Sequence, residues 1–283
     1  MEVLETVGKA KQLARGWRAA GESIGLVPTM GFLHEGHASL IRRARAENDR
    51  VVVSVFVNPT QFAAGEDLST YPRDFAADAA LCERLGADAV FHPEPAEMYR
   101  DAQTRVEQGL LTTTMEGASR PTHFSGVCTV VAKLFNIVDP TRAYFGQKDA
   151  QQLAVVRKMV ADLNFDVQVV GCPTVREADG LAKSSRNTYL SAEERSAATV
   201  LARALAAGRA VACPGVASAE LVAAMREVLA AEPLAAIDYI AVVDAVTMQP
   251  VQRVDGEVLV ALAVRIGATR LIDNFTYAPG AEQ

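Results

Sequence analysis

The sequence contains few cysteines and no long apolar run, and each absence excludes a class of protein. Only four of 283 residues are cysteine (Cys82, Cys128, Cys172 and Cys213), and no two have the C-x-x-C spacing of a zinc or redox motif. We therefore expect small buried side chains in a reducing compartment. No apolar stretch reaches the roughly 20 residues that cross a bilayer, and residues 1–20 carry too many charges for a signal peptide. These absences predict a cytoplasmic protein with no membrane partner.

Excess positive charge is also lacking, since 28 basic residues face 34 acidic ones and the formal net charge is −6. A chain of this charge has no general attraction for a polyanion such as duplex DNA. We expect no nucleic-acid partner, and any bound anion must be held locally. Neither the G-x-x-x-x-G-K-[ST] nor the G-x-G-x-x-G phosphate-binding motif is present. The 50% hydrophobic content is typical of a globular enzyme.

Strand and helix patterns alternate along the first part of the chain. Continuous β-branched runs predict strands buried on both faces, at 24–27, 51–57, 89–91, 143–145 and 167–170. Helical periodicity separates them, at 37–47, 74–85, 124–138 and 149–163. This alternation predicts an α/β fold with a Rossmann-like, doubly wound parallel sheet over residues 1–174. Ala-rich helices at 192–207 and 219–231 and strands at 239–243 and 258–265 predict a smaller C-terminal α+β domain over 175–283.

The segment 27–37 links a predicted strand to a predicted helix, where sheets of this type bind ligands. Gly31 allows close backbone approach to a ligand, and the helix N-terminus favours a phosphate. His34 and His37 can point the same way and donate hydrogen bonds to phosphate oxygens. Alternatively, the two histidines only cap the helix and pack. Zinc binding is disfavoured because no further His or Cys ligand lies nearby.

Two further polar loops are compatible with a nucleotide. At the next strand-to-helix junction, Gly146 permits close approach of a ribose, Lys148 suits a triphosphate, and Asp149 can accept from ribose hydroxyls or cap the helix. Gln152 lies one turn beyond Lys148. At the domain boundary a cluster of cations and hydroxyls suits phosphate oxygens, namely Lys183, Ser184, Ser185 and Arg186. An ordinary interdomain linker remains the alternative for that last segment.

Two other segments predict a pocket for a small polar acceptor. Asn58 and Gln61 follow a strand, and their amides can hold hydroxyl and carboxylate groups without adding charge. Arg120 and His123 precede a predicted helix and offer a guanidinium and an imidazole, although they can also be a packed surface pair.

Seven ordered motifs resemble the pantoate:β-alanine ligase family over nearly the whole chain. They are PTMGxLHxGH at 28–37, VNPxQF at 57–62, YPR at 71–73, RPxHFxGV at 120–127, GQKDxQQL at 146–153, SSRN at 184–187 and GATRLIDN at 267–274. The family is one of nucleotidyl transferases similar to class I aminoacyl-tRNA synthetases. In those enzymes an HxGH element and a KMSKS-like loop bind ATP, and the loop here would be 183–187, near the start of the second domain.

The resemblance implies an ATP-dependent ligase of pantothenate biosynthesis. Pantoate would attack ATP to give pantoyl adenylate and pyrophosphate, and β-alanine would then displace AMP. Mg²⁺ and a homodimer are expected from the family, whereas the protein ligands of the metal stay unknown.

The resemblance also carries over roles to particular residues. His37 would be the proton donor, with His34 and Lys148 as further catalytic groups. The ATP site would comprise Met30, Gly31, His34, His37, Gly146, Gln147, Lys148, Asp149, Val175, Lys183, Ser184, Ser185 and Arg186. Gln61 and Gln152 would bind pantoate, with Asn58, Arg120 and His123 as second-line contacts.

Three positions depart from the family pattern: most members have Met where this chain has Lys183, an aromatic is common where it has Ala150, and a larger aliphatic is common where it has Cys172. The lysine could lay its stem on adenine and add a phosphate contact; alternatively, it is tolerated or mildly harmful. The other two changes concern local packing rather than the reaction. Two alternatives to the ligase stay open: an HxGH-type nucleotidyl transferase acting on a different small acid, and a non-catalytic ATP-binding relative.

Overall fold

The structure is a computed structural model that describes residues 1–280; residues 281–283, the end of the predicted second domain, lie outside the described residues. The chain divides into two compact units. The first comprises Met1–Thr112, Glu116–Gln147 and Gln152–Pro173. The second comprises Thr113–Met115, Lys148–Gln151 and the chain from Thr174 onwards. The functional assignment of the two predicted domains, 1–174 and 175–283, stays a prediction.

The first unit is built on a six-stranded parallel sheet. Its strands are β1 (Glu2–Leu4), β2 (Ile24–Thr29), β3 (Arg50–Val55), β4 (Ala89–Phe91), β5 (Arg142–Gly146) and β6 (Gln168–Cys172). Their order is β1-β4-β3-β2-β5-β6, so the direction of winding reverses between β2 and β5. Right-handed crossovers on both sides of this reversal produce a doubly wound sheet, as predicted. Such sheets bind ligands beyond the carboxyl ends of the strands at the reversal, which here means after Thr29 and Gly146.

Seven helices belong to this part of the chain. They are α1 (Val7–Ala19), α2 (Glu35–Glu47), α3 (Phe75–Arg84), α4 (Pro95–Tyr99), α5 (Met115–Ser119), α6 (His123–Val138) and α7 (Ala150–Asp162). Helix α2 packs on β2, β3 and β5, and α6 packs on β2 and α1. Ile41 of α2 is fully buried with Val53 and Val90 of the sheet. This apolar packing fixes where α2 begins relative to the end of β2.

The second unit is a small α+β structure, which confirms the predicted class. Helices α8 (Ala192–Ala197), α9 (Val200–Val211) and α10 (Ser218–Ala230) accompany the antiparallel strands β7 (Ala235–Asp244), β8 (Val258–Ile266) and β9 (Thr269–Tyr277). Leu201, Leu221 and Leu262 lie in its core. Within residues 1–280, no helix has the length and apolar character that a bilayer crossing requires.

The structure differs from the sequence predictions in four details. Strands β1 and β9 were not predicted, and the single helix expected at 192–207 is interrupted between α8 and α9. At the interruption the Thr199 hydroxyl donates to the Ser196 carbonyl at 2.8 Å, a local bond that competes with helical pairing. Cys213 is exposed, unlike the other three cysteines, because it follows the end of α9 at the surface.

Candidate active site

The turn between β2 and α2 has an unusual backbone that a distant carboxylate holds. Gly31 and Phe32 both adopt positive φ, at 81° and 51°, and Phe32 lacks the freedom of glycine. Buried Asp78, on α3, accepts hydrogen bonds from the backbone N–H groups of Phe32 at 2.8 Å and Leu33 at 2.6 Å. Burial raises the pKa of Asp78 more than these two bonds lower it. Asp78 was missed from the sequence, since it lies 45 residues beyond Leu33.

His34 and His37 lie together at the N-terminus of α2, with ring centroids 4.1 Å apart. His34 is the N-cap residue, and its Nδ1 accepts from the Gly36 N–H at 3.0 Å. The Nδ1 of His37 accepts from the His34 N–H at 3.3 Å. Because a backbone N–H can only donate, both Nδ1 atoms are unprotonated, so each neutral ring carries its proton on Nε2. Capping uses only the Nδ1 atom of each ring, so the sequence alternatives of capping and ligand binding do not exclude each other.

Gly36 is required between the two histidines. A Cβ atom at this position would lie 2.7 Å from Cε1 of His34 and 2.9 Å from its Nδ1. Any larger residue would push the His34 ring out of its capping position.

Asn58 and Gln61 are buried together in the 3₁₀ turn Pro59–Gln61 that follows β3. Asn58 Nδ2 donates to Gln61 Oε1 at 2.8 Å and to the Gly126 carbonyl at 3.1 Å. Gly126 allows α6 to approach this closely, because a Cβ there would lie 2.3 Å from the Thr60 carbonyl oxygen. The structure therefore places the two predicted amides in one network.

Arg120 and His123 converge on the main chain of this turn. Arg120 Nη2 lies 3.3 Å from the Gln61 carbonyl oxygen, and His123 Nδ1 lies 3.1 Å from the same oxygen. Glu66, which the sequence did not single out, accepts two hydrogen bonds from Arg120, at 2.8 and 2.7 Å. Burial and the nearby Arg120 cation lower the pKa of His123 to about 4. Burial alone would raise the pKa of Glu66, but its bonds and charge attraction to Arg120 bring it below the usual range.

At the carboxyl end of β5, Gly146 faces open space where a Cβ atom would meet nothing within 4 Å. Gln147 follows in the same unit, and Gln152 is half-buried in the first turn of α7. Together with the β2–α2 turn, these residues lie at the carboxyl ends of β2 and β5, where the strand order reverses.

Lys148 and Asp149 belong to the second unit, with Lys148 Nζ 3.8 Å from Asp149 Oδ1. Asn274, on β9, donates through Nδ2 to the Lys148 carbonyl at 2.8 Å. Asn274 is the last residue of the family motif at 267–274, for which the sequence predicted no role. This bond fixes the main chain from which the lysine side chain extends.

The segment 175–183 forms a β-hairpin, closed by a bond from the Lys183 N–H to the Val175 carbonyl at 2.9 Å. Arg176 anchors it through a two-bond ion pair, at 2.6 and 3.0 Å, with Asp273, whose side chain is 1% exposed. This pairing raises the pKa of Arg176. Lys183 Nζ forms an ion pair with Glu177 Oε2 at 2.7 Å.

The hairpin leads into a 3₁₀ turn, Ser185–Tyr189, which Ser184 caps by accepting from the Arg186 N–H at 3.2 Å. Ser185 is buried and Arg186 half-buried. The four predicted phosphate-binding residues are thus consecutive in the second unit: Lys183 ends the hairpin, Ser184 caps the 3₁₀ turn, and Ser185 and Arg186 begin it.

Metal-ligating side chains do not gather anywhere in residues 1–280: no three His, Cys, Asp or Glu residues are placed to hold one ion.

The sheet topology, with two imidazoles side by side at the N-terminus of α2, defines a doubly wound α/β protein. Residues 2–276 match the Pantoate-beta-alanine ligase family, and the chain belongs to that family. The resemblance inferred from the motifs is thereby confirmed.

Curated relatives extend over the full length of this chain. Pantothenate synthetase of Enterococcus faecalis is 55% identical over 98% of this chain and 99% of its own length. That of Ruminiclostridium cellulolyticum is 54% identical over 99% of this chain and 100% of its own.

Solved structures agree with this assignment. Pantothenate synthetase from Thermus thermophilus has a TM-score of 0.91 and 52% identity, covering 97% of this chain and 99% of that one. Pantoate-beta-alanine ligase from Francisella tularensis, complexed with beta-gamma ATP and beta-alanine, has a TM-score of 0.81 and 35% identity, covering 97% of both chains.

Proposed function

We propose that this chain condenses pantoate with β-alanine to form pantothenate, using ATP and passing through pantoyl adenylate. Membership of the Pantoate-beta-alanine ligase family supports the reaction, as does the related Francisella enzyme, solved with an ATP compound and beta-alanine. In this chain, the observation that carries the proposal is the pair of imidazoles whose Nδ1 atoms cap α2 and whose Nε2 atoms carry protons. Such donors match the charge that develops on phosphate oxygens during nucleotidyl transfer.

The reaction has two steps. A carboxylate oxygen of pantoate forms a bond to the α-phosphorus of ATP, and the bond from that phosphorus to pyrophosphate breaks. The amine of β-alanine then attacks the acyl carbon, the bond to AMP breaks, and the amine loses a proton. The protein forms no covalent intermediate, so its contribution is positioning and charge stabilisation.

In the first unit, the ATP-binding residues of the proposal are Met30, Gly31, His34, His37, Gly146 and Gln147. His34 and His37 act as hydrogen-bond donors to transition-state charge. Their Nδ1 atoms accept backbone N–H bonds, and protonating them would break the cap of α2. A donor role through neutral Nε2–H therefore fits this geometry better than transfer of a proton from an imidazolium ion.

In the second unit, the proposed ATP-binding residues are Lys148, Asp149, Val175, Lys183, Ser184, Ser185 and Arg186. Lys148 supplies a mobile cation for the triphosphate, and its main chain is fixed by Asn274. The Arg176–Asp273 pair holds the hairpin that presents Lys183.

Gln61 and Gln152 bind pantoate in the proposal, and Asn58, Arg120 and His123 support them. Arg120 and His123 both contact the main-chain carbonyl oxygen of Gln61, so they hold the backbone from which its side-chain amide extends. A neutral amide can bind hydroxyl and carboxylate groups of a small acid through directed bonds.

Mg²⁺ enters the proposal with ATP. Residues 1–280 offer no cluster of three carboxylate, imidazole or thiolate ligands, which fits an ion that keeps its waters and sits on substrate phosphates. When bound, it would neutralise phosphate charge without a dedicated protein cage.

We also propose a cytoplasmic homodimer that associates through the first unit. Strand β6 lies at one edge of the sheet, where its backbone could pair with a strand of a second copy. Val169 and Val170 of this strand are half-buried. Light scattering of the native protein and of Val170→Glu tests this, since a dimer through β6 becomes a monomer in the variant. An unchanged mass excludes this edge.

The function is tested by measuring pyrophosphate and AMP from ATP, Mg²⁺ and D-pantoate, with and without β-alanine. We expect pyrophosphate from pantoate alone and AMP only after β-alanine is added. His37→Ala removes one transition-state donor and should lower kcat about 10²–10³-fold, and Lys148→Ala should also abolish most turnover. His37→Gln restores an N–H near Nε2 and should recover part of the loss. Absence of pyrophosphate with the native protein refutes the assignment of pantoate as acceptor.

A further inference from the structure

The side-chain amide of Asn58 has an orientation that the main chain determines. Its Oδ1 lies 3.3 Å from the Thr60 N–H, which can only donate, and its Nδ2 lies 3.1 Å from the Gly126 carbonyl, which can only accept. Exchanging the oxygen and nitrogen would break both bonds. The Tyr99 hydroxyl adds a third constraint, donating to Oδ1 at 2.8 Å.

This orientation determines that of Gln61 in turn. The Gln61 atom 2.8 Å from Asn58 Nδ2 must be an acceptor, and therefore is Oε1. Gln61 Nε2 is left on the opposite side of the amide, where the partner found for it among the described residues is the Met30 sulfur, at 4.0 Å. A thioether is a weak acceptor, so these N–H groups retain most of their donor capacity.

We propose that Tyr99 and Asn58 are positioning residues that fix the Gln61 amide with its N–H groups toward the acid substrate, thereby selecting a carboxylate. The inference rests on the proposed function, since it takes Gln61 as a substrate contact. A donor-only face matches the carboxylate and hydroxyl oxygens of a hydroxy acid. An amide with the reverse orientation would place its oxygen against the substrate carboxylate.

Tyr99 is suited to this role by its position and its protonation. It is the last residue of α4, and its ring packs 6.2 Å from that of Phe56, at the end of β3. Burial raises the pKa of Tyr99, so its hydroxyl is a donor over the physiological range. Without it, Asn58 Oδ1 keeps two donors, both from Thr60, and the orientation is held less firmly.

The decisive variant is Asn58→Asp, which keeps the size of the side chain and removes its donor. Gln61 must then turn to donate toward the new carboxylate, and its oxygen faces the substrate. We expect KM for pantoate to rise at least tenfold and KM for ATP to change less than twofold. The inhibition constant of pantoamide, the neutral amide of pantoate, should change little, so that the preference for acid over amide falls at least tenfold.

Two further variants calibrate this result. Tyr99→Phe keeps the ring and removes one of three bonds to Asn58 Oδ1. We expect its preference for pantoate over pantoamide to fall severalfold, which is less than in Asn58→Asp. Asn136→Asp, at an exposed site on α6, makes the same chemical change away from Gln61 and should leave both KM values unaltered. Melting temperatures of all variants identify any that do not fold.

The preference for pantoate over pantoamide distinguishes the proposed positioning role from a purely structural one. A variant that only loosens the site weakens acid and amide in proportion, and that result in folded Asn58→Asp would overturn the inference. The inference also fails if the KM values for pantoate and ATP rise together. If the native protein makes no pyrophosphate from pantoate, the proposed function fails instead. Calorimetric binding of pantoate and pantoamide to native protein and Asn58→Asp then decides the orientation by the same loss of acid preference.

Discussion

Acidification should destabilise the first unit through His123 before its carboxylates titrate. Burial, followed by the Arg120 cation, lowers the pKa of His123 from 6.5 to about 4. A group whose pKa is lower in the folded than in the unfolded state stabilises the protein above the unfolded pKa and loses that contribution as pH falls. Between pH 6.5 and pH 5 the unfolded chain takes up this proton and the folded one does not. At roughly 1.36 kcal/mol per pH unit, the free energy of unfolding falls by about 2 kcal/mol over that interval.

Urea unfolding at pH 7.5, 6.5, 5.5 and 5.0, followed by a signal from the first unit, measures this decline. His123→Gln is the matched variant, because its amide can donate to the Gln61 carbonyl and has no proton to gain. We expect the variant to lose about 2 kcal/mol less than the native protein between pH 7.5 and pH 5. Every other titratable group is common to both proteins, so the difference isolates His123. Parallel pH profiles would refute a half-buried imidazole that stays neutral in the folded protein.

Three further predictions concern single contacts. Asp78→Asn leaves one backbone N–H of the β2–α2 turn without an acceptor and should lower the free energy of unfolding by about 1–3 kcal/mol. Amide exchange at the turn should become faster, and unchanged exchange would show that Asp78 does not hold the turn. Gly126→Ala places a Cβ 2.3 Å from the Thr60 carbonyl oxygen and should cost about 1–3 kcal/mol by urea unfolding, whereas native stability would show that the turn can move. Lys183→Met should raise KM for ATP. Glu177→Gln should lower it, because Glu177 competes with phosphate for the lysine. If neither variant changes KM for ATP, the proposed contact between Lys183 and phosphate is ruled out.

The sequence predicted those strands whose burial is visible as a continuous apolar run. Strand β2 is such a case, since residues 24–27 are all buried. Strand β1 spans three residues of which only Leu4 is buried, so it resembled the amphipathic helix that follows. Strand β9 alternates correctly, but two of its buried positions are the polar residues Thr269 and Asp273. The burial of Asp273 depends on its ion pair with Arg176, 97 residues earlier, which no local pattern contains.

In the candidate site, too, local patterns could be predicted from the sequence and long-range partners could not. The segment 28–37 could be predicted because its histidines, glycines and helix start are neighbours in the sequence. Asp78, which holds this segment, and Tyr99, which holds Asn58, are far along the chain from their partners and belong to short or weakly patterned helices. Sequence spacing therefore indicates which side chains are candidates for binding, whereas their tautomer and amide orientation depend on partners that only the fold brings together.

Fixed polarity is the property that these partners have in common. Backbone N–H groups determine the proton position on His34 and His37, and backbone groups acting through Asn58 determine which end of the Gln61 amide faces away from Asn58. A donor held in this way needs no reorientation when charge develops on a substrate, so its stabilisation is not reduced by the cost of reorganising a dipole. Water around the same charge would have to reorient. In the proposed reaction, the hydrogen bonds around these side chains therefore affect the rate as well as the stability of the fold.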